Sequence, residues 1–170
     1  MGDKLVNVKA DTAQDFIDNA HKAMRDPKKL GETTYDLQVK FKFDSDKTIA
    51  KATMTLKTET TRVHWAGPAK AKPDKANEQA IKQIEDLNDA HEAAHRDGYQ
   101  KAFDKLHDQL EQEMVGKTQK EAQQVLDKMK DALRDACEKL HKSGGMIDVK
   151  DDGQGHIKVT ESAEGPGGCK

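Results

Sequence analysis

The run Ile81-Lys82-Gln83-Ile84-Glu85-Asp86-Leu87-Asn88-Asp89-Ala90-His91-Glu92-Ala93-Ala94-His95 sets the reading of the whole chain. Its apolar and small residues recur at helical spacing, and the pattern continues through Gly98, Ala102, Phe103, Leu106 and Leu110. Pro73 precedes it and Asp74 is placed to cap it, so a long helix is expected from there to about Met114. Val115-Gly116-Lys117 breaks the pattern. Thr118 and Glu121 then form a capping box, which starts a second long helix running to about His141. Its stripe is Ala122, Val125, Leu126, Met129, Leu133, Ala136 and Leu140, and Ser143-Gly144-Gly145 ends it.

Upstream the period changes from helical to two. Tyr35, Leu37, Val39, Phe41 and Phe43 alternate with polar residues, and Ala52, Met54, Leu56, Val63 and Trp65 do so more loosely. Asp44-Ser45-Asp46-Lys47 supplies a turn, so residues 34–65 predict an antiparallel hairpin or small sheet. Residues 11–26 predict a short helix capped by Asp11 or Thr12 and ended by Pro27. The expected fold class is α+β: a short N-terminal helix, the antiparallel hairpin, then two long antiparallel helices carrying a metal site. Residues 1–150 are expected to make one domain. Residues 151–170 read as a Gly-rich, largely disordered tail with one short strand at 156–160.

Composition narrows the partners. The 170 residues carry 29 basic and 31 acidic side chains, well mixed, with a net charge of -2. Neither a basic stripe nor an aromatic platform is present, so a nucleic-acid partner is not expected. No run is long and apolar enough for a membrane span, and the first ten residues lack the apolar core of a secretion signal. The chain reads as soluble and monomeric, secreted if a signal has been removed and otherwise cytoplasmic. Cys137 and Cys169 imply no disulfide framework, and whether they pair is left open.

The chemistry lies in His91-Glu92-Ala93-Ala94-His95, the HExxH pattern. Residues four apart on a helix share a face, so His91 and His95 can offer two imidazoles to one ion. Glu92 lies beside that face, where a carboxylate can take a proton from a metal-activated water. With His95 at zero and about 100° per residue, His91 falls near -40°, close to Ile84 at about -20° and Leu106 at about +20°. Both histidines thus occupy the middle of a stripe that should be buried. One buried histidine is usually a satisfied core residue. Two at this spacing with the intervening Glu point to Zn²⁺.

A catalytic zinc normally takes three protein ligands. The metzincin pattern HExxHxxGxxH keeps its Gly at Gly98 but would need His where Lys101 stands. If the two helices fold back at Gly116, His91 reflects onto His141 and His95 onto Cys137. His141 is therefore the candidate third ligand and Glu138 the alternative. His107 and Glu121 lie too far along their helices to share the ion. Tyr99 is a candidate to polarise a substrate carbonyl, against the plainer role of a core aromatic. Asp97 and Asp104 are candidate acceptors for the outer imidazole nitrogens. The strand from Met54 to Trp65 is the candidate edge for an extended peptide.

HEAAH, the hairpin with Trp65 before a Pro-containing linker, and a helical pair ending in His resemble a family of small bacterial HExxH proteins. That family is classed as a domain of unknown function and often described as secreted zinc-dependent proteases. The resemblance covers roughly residues 35–145. It implies that residues 1–150 are a single zincin-like zinc peptidase domain with His91 and His95 as ligands and Glu92 as general base, acting on a peptide or protein. Two rivals use the same residues. Glu92-x-x-His95 and Glu138-x-x-His141 are half of a di-iron carboxylate bundle. The helical pair could also be an interaction module holding structural zinc or no metal.

Overall fold

The computed structural model describes residues 2–165 and 168–169. The chain runs β1 (Lys4–Val8), α1 (Ala13–Met24), β2 (Gly31–Phe43), β3 (Ile49–Trp65), α2 (Lys75–Met114), α3 (Gln119–His141), β4 (Gly145–Asp151) and β5 (Ile157–Ala163). This is an α+β fold, as the change of period from two to helical implied.

The caps sit where their chemistry places them. Thr12, Asp74 and Thr118 accept from the backbone N–H three residues on, and Thr118 and Glu121 complete the reciprocal box. The two long helices reverse at Gly116, whose φ of 83° suits a residue without a Cβ. That reversal is tied to the sheet. Gly116 N donates to Ile49 O and Ile49 N donates to Lys117 O, each at 2.8 Å.

The sheet has the order β1-β3-β2. β2 and β3 form the expected antiparallel hairpin, with Leu37 opposite Leu56 and Val39 opposite Met54. β1 was not anticipated. It lies parallel to β3, Val6 opposite Val63, and leaves β3 as the central strand. β1 closes that side of the Met54–Trp65 segment only over Thr61–Trp65, whereas β2 lies at the edge of the sheet along its whole length. The segment from residue 151 holds the short strand expected at 156–160, extended to residue 163. It supplies β5, which pairs along its length with β4, Gly145 opposite Ala163. Residues 166, 167 and 170 of that expected tail lie outside the described residues.

The apolar residues form two clusters. One gathers Phe16, Ile17, Val63, Ile81, Ile84 and Ile147 from α1, the sheet, the start of α2 and β4. The other gathers Ile49, Met54, Phe103, Leu110, Met129 and Leu133 from the hairpin and the facing helices. Between them on α2 come Asn88, Glu92 and His95, all buried. Thr33 and Thr60 from the sheet and His141 from the end of α3 are buried as well. Polar groups in such a place destabilise the fold unless they are satisfied. Their partners define the site.

Candidate metal centre

Three imidazoles converge at this polar layer. His95 Nε2 lies 3.0 Å from His91 Nε2 and 3.0 Å from His141 Nε2. One ring nitrogen from each of the three falls within 4.8 Å of the other two. The helical pair thus brings His141 opposite the HEAAH turn, as reflection about Gly116 predicts. Glu138 faces solvent and does not join them. Without it the second Glu-x-x-His lacks its carboxylate, and the di-iron arrangement has no support.

The donor set suits a cation. Burial, with the neighbouring His141, depresses the His91 pKa to about 4. Burial, with His91 and His141, takes His95 to about 3. Both rings are therefore neutral at pH 7 and offer lone pairs. His141 Nδ1 lies 3.4 Å from Cys169 Sγ, which belongs to a disulfide with Cys137. A disulfide sulfur can only accept, so that contact favours the His141 proton on Nδ1 and a lone pair at Nε2. Lone pairs facing one another at 3.0 Å repel unless a proton or an ion lies between them. For Zn–N bonds of about 2.0–2.1 Å, tetrahedral angles place the nitrogens about 3.3 Å apart, close to what is seen. His95 Nδ1 is buried with no partner among the described residues. Asp97 and Asp104, the expected acceptors for outer nitrogens, are both exposed.

Glu92 lines the same cavity. Thr33 Oγ1 donates to Glu92 Oε2 at 2.6 Å and packs 3.1 Å from Thr60 Oγ1. Burial is the chief cause that raises the Glu92 pKa to about 7; the Thr33 bond opposes it and the Glu164 charge adds to it. β2 can pass so close because residue 31 is Gly. A Cβ there would stand 3.0 Å from Glu92 Cγ and 3.0 Å from the Thr61 carbonyl oxygen. Asn88 Nδ2 donates to Leu30 O at 3.1 Å and holds the start of β2 to the same face of α2.

Other candidates resolve plainly. Tyr99 is a buried member of the second cluster, edge-on to Tyr35 at 5.2 Å. Burial raises its phenol to about 12. It nevertheless lines a cavity of about 370 Å³ with Glu32, Thr33, Thr34, Tyr35 and Gly168, beside the histidines and along β2. A Cβ added at Gly98 would stand 3.8 Å from Ala136 Cβ and Leu140 Cδ1, so its place is in the helix–helix contact. His107 stacks on Phe103 away from the site. A cavity of about 520 Å³ beside Trp65 carries no convergent donor set.

Sequence reasoning missed Glu164. Its Oε2 lies 3.1 Å from His141 Nε2 and 3.8 Å from His91 Nε2. Burial raises its pKa, against the pull of His141. Gly145, with φ of 105°, makes the room; a Cβ there would collide with Glu164 and stand 3.0 Å from His91 Cε1 and Nε2. The available signal was the cysteine pair. Cys137 is one turn before His141, so pairing with Cys169 draws the C-terminal segment onto the site.

The family model described as bacterial protein of unknown function (DUF922) matches residues 4–143. The chain belongs to this family. The DUF922 match takes in the three-stranded sheet, both long helices and all three histidines, and ends before β4, Glu164 and Cys169. No curated protein and no solved structure matches the chain. Among the described residues no helix is long and apolar enough to cross a membrane.

Proposed function

We propose that this chain is a zinc-dependent peptidase. One juxtaposition carries the reading: three converged imidazole Nε2 atoms and, beside them, a buried carboxyl with a pKa of about 7. His91, His95 and His141 would hold the ion, which when bound acidifies water and polarises a peptide carbonyl. Glu92 takes a proton from the attacking water on its carboxylate and passes it to the leaving amine nitrogen. A group with a pKa near the working pH does both steps well. Thr33 fixes that carboxyl by its 2.6 Å bond. The free edge of β2 from Gly31 to Tyr35 would pair with an extended peptide, with the adjoining cavity taking a side chain. The disulfide supports an oxidising compartment as the place of work.

Zinc-loaded chain incubated with an unfolded, dye-labelled protein tests the reading. Cleavage is expected, and Glu92→Gln should lower it by about 10²-fold or more while one zinc per chain stays bound. Cleavage that persists in Glu92→Gln, or that no zinc-loaded form shows, refutes it. A second reading is a structural zinc joining α2, α3 and the C-terminal hairpin. It is favoured by the near-complete sealing of the histidines, and one zinc bound without any cleavage would select it.

A further inference from the structure

We infer that Glu164 is the fourth donor of this metal centre, so that the folded chain is a latent form of the peptidase proposed above, on whose reading this inference rests. A three-histidine catalytic site keeps its fourth position for water, whereas a site with four protein donors is closed. Here the fourth position is not open. Glu164 Oε2 lies at 3.1 Å and 3.8 Å from the His141 and His91 Nε2 atoms, and the three side chains are only 12%, 7% and 9% exposed.

The carboxylate is held in place from both sides. Glu164 N donates to Gly144 O at 3.0 Å and Gly165 N donates to His141 O at 3.3 Å, which fastens this segment to the end of α3. Ala163, the residue before, is paired with Gly145 at the base of the β4–β5 hairpin. Beyond it, the Cys137–Cys169 bond fixes Cys169 against the outer face of His141, and a Cβ added at Gly168 would stand 3.9 Å from His141 Cε1. The cavity left among His91, Glu92, His95, His141, Glu164 and Gly168 is about 20 Å³. That is space for about one water or one ion and no peptide group. Glu32, Thr33 and Gly168 line both it and the roomier cavity along β2. Opening would break no covalent bond: the Glu164 carboxylate would give up its coordination and swing out, and a water would take its place.

The test uses full-length oxidised chain with Co²⁺ in place of zinc, read by visible absorption. A coordinated water ionises with a pKa of about 7 and shifts the spectrum, whereas a carboxylate in its place does not. Wild type is expected to give a spectrum flat from pH 6 to about 9 and unmoved by millimolar acetohydroxamate, a metal-binding probe. Glu164→Gln should show a transition near neutral pH and bind acetohydroxamate at least about tenfold more tightly. Its zinc form should cleave unfolded protein at least about tenfold faster than wild type. A wild-type spectrum that titrates and responds to acetohydroxamate like the variant overturns the assignment. If Glu164→Gln does not fold, the wild-type titration decides alone. The two readings fail differently. Spectral opening in Glu164→Gln without any cleavage removes the peptidase and keeps the ligand. Equal cleavage and equal spectra in both chains remove the ligand and keep the peptidase.

Discussion

Replacing Glu92 by Gln should stabilise the metal-free chain at alkaline pH and leave it unchanged in acid. Glu92 has a pKa of about 7 in the fold against 4.5 for an ordinary Glu, mainly because it is buried. Between those values the folded chain binds more protons than the unfolded one, so this group's contribution falls as pH rises from 4.5 to about 7 and stays low above it. At about 1.4 kcal/mol per pH unit the full loss is about 3 kcal/mol. Gln has nearly the same shape, can still accept from Thr33 Oγ1, and carries no charge to desolvate. The difference between the two chains should be near zero below pH 4.5 and approach that value above pH 7. Urea unfolding of both chains, with metal removed, at about pH 4.5 and pH 8.5 measures it. With a slope of about 2 kcal/mol/M, the Gln midpoint should lie about 1.5 M higher at the alkaline pH. Groups common to both chains cancel in the comparison. Equal midpoints at pH 8.5, or the same gap at both pH values, would refute the idea that Glu92 is held against its own desolvation.

Gly145→Ala combines a positive φ with a collision at Glu164 and crowding at His91, so a loss of about 2 kcal/mol or more is expected in thermal unfolding, with weaker zinc binding by calorimetry. His141→Ala should lower zinc affinity by about 100-fold or more, whereas exposed Glu138→Ala should change neither zinc binding nor stability by more than about 0.5 kcal/mol. Removing the Cys137–Cys169 bond by the double Ser substitution opens a loop with a sequence separation of 32 and should lower stability by about 3–4 kcal/mol, read from urea unfolding without reductant. Each of the three is set by a local feature, so a uniform loss of fold in all of them would contradict the layout of the site.

The elements built on strong periodic signals were legible before any coordinates. The long helices, their caps, the break at Gly116 and the β2–β3 hairpin each carry a pattern in the residues that form them. His141 was legible too, because an antiparallel hairpin converts sequence distance from Gly116 into spatial opposition. β1 was not, because Leu5-Val6-Asn7-Val8 is too short to display a period and its parallel partner lies more than fifty residues away. A strand was read at 156–160, but its full extent and pairing as β5, and Glu164, were not, for a related reason. A Gly-rich segment has weak intrinsic pattern, and its place is set by the β4 register and by a disulfide whose geometry only the folded helices supply. Thr33 was hidden because it reads as one more polar residue of an alternating strand. Its position facing Glu92 depends on Gly31 letting β2 come close.

The layer of Thr33, Thr60, Asn88, Glu92, His95 and His141 divides the interior into two apolar halves. Its consequence reaches beyond chemistry to how the molecule opens. Apolar burial, the strongest cohesive force, is interrupted there, and the halves are joined by α2, the β2–β3 hairpin and a set of polar contacts. In the metal-free chain, amide hydrogens near Ile84 and near Phe103 should therefore exchange with different opening free energies, as parts of two separate cooperative units. An ion gripped by His91 and His95 from α2 and His141 from α3 lies in that divide. Loading the chain should merge the two exchange regimes into one, making the centre a clasp for the fold as well as a place for reaction.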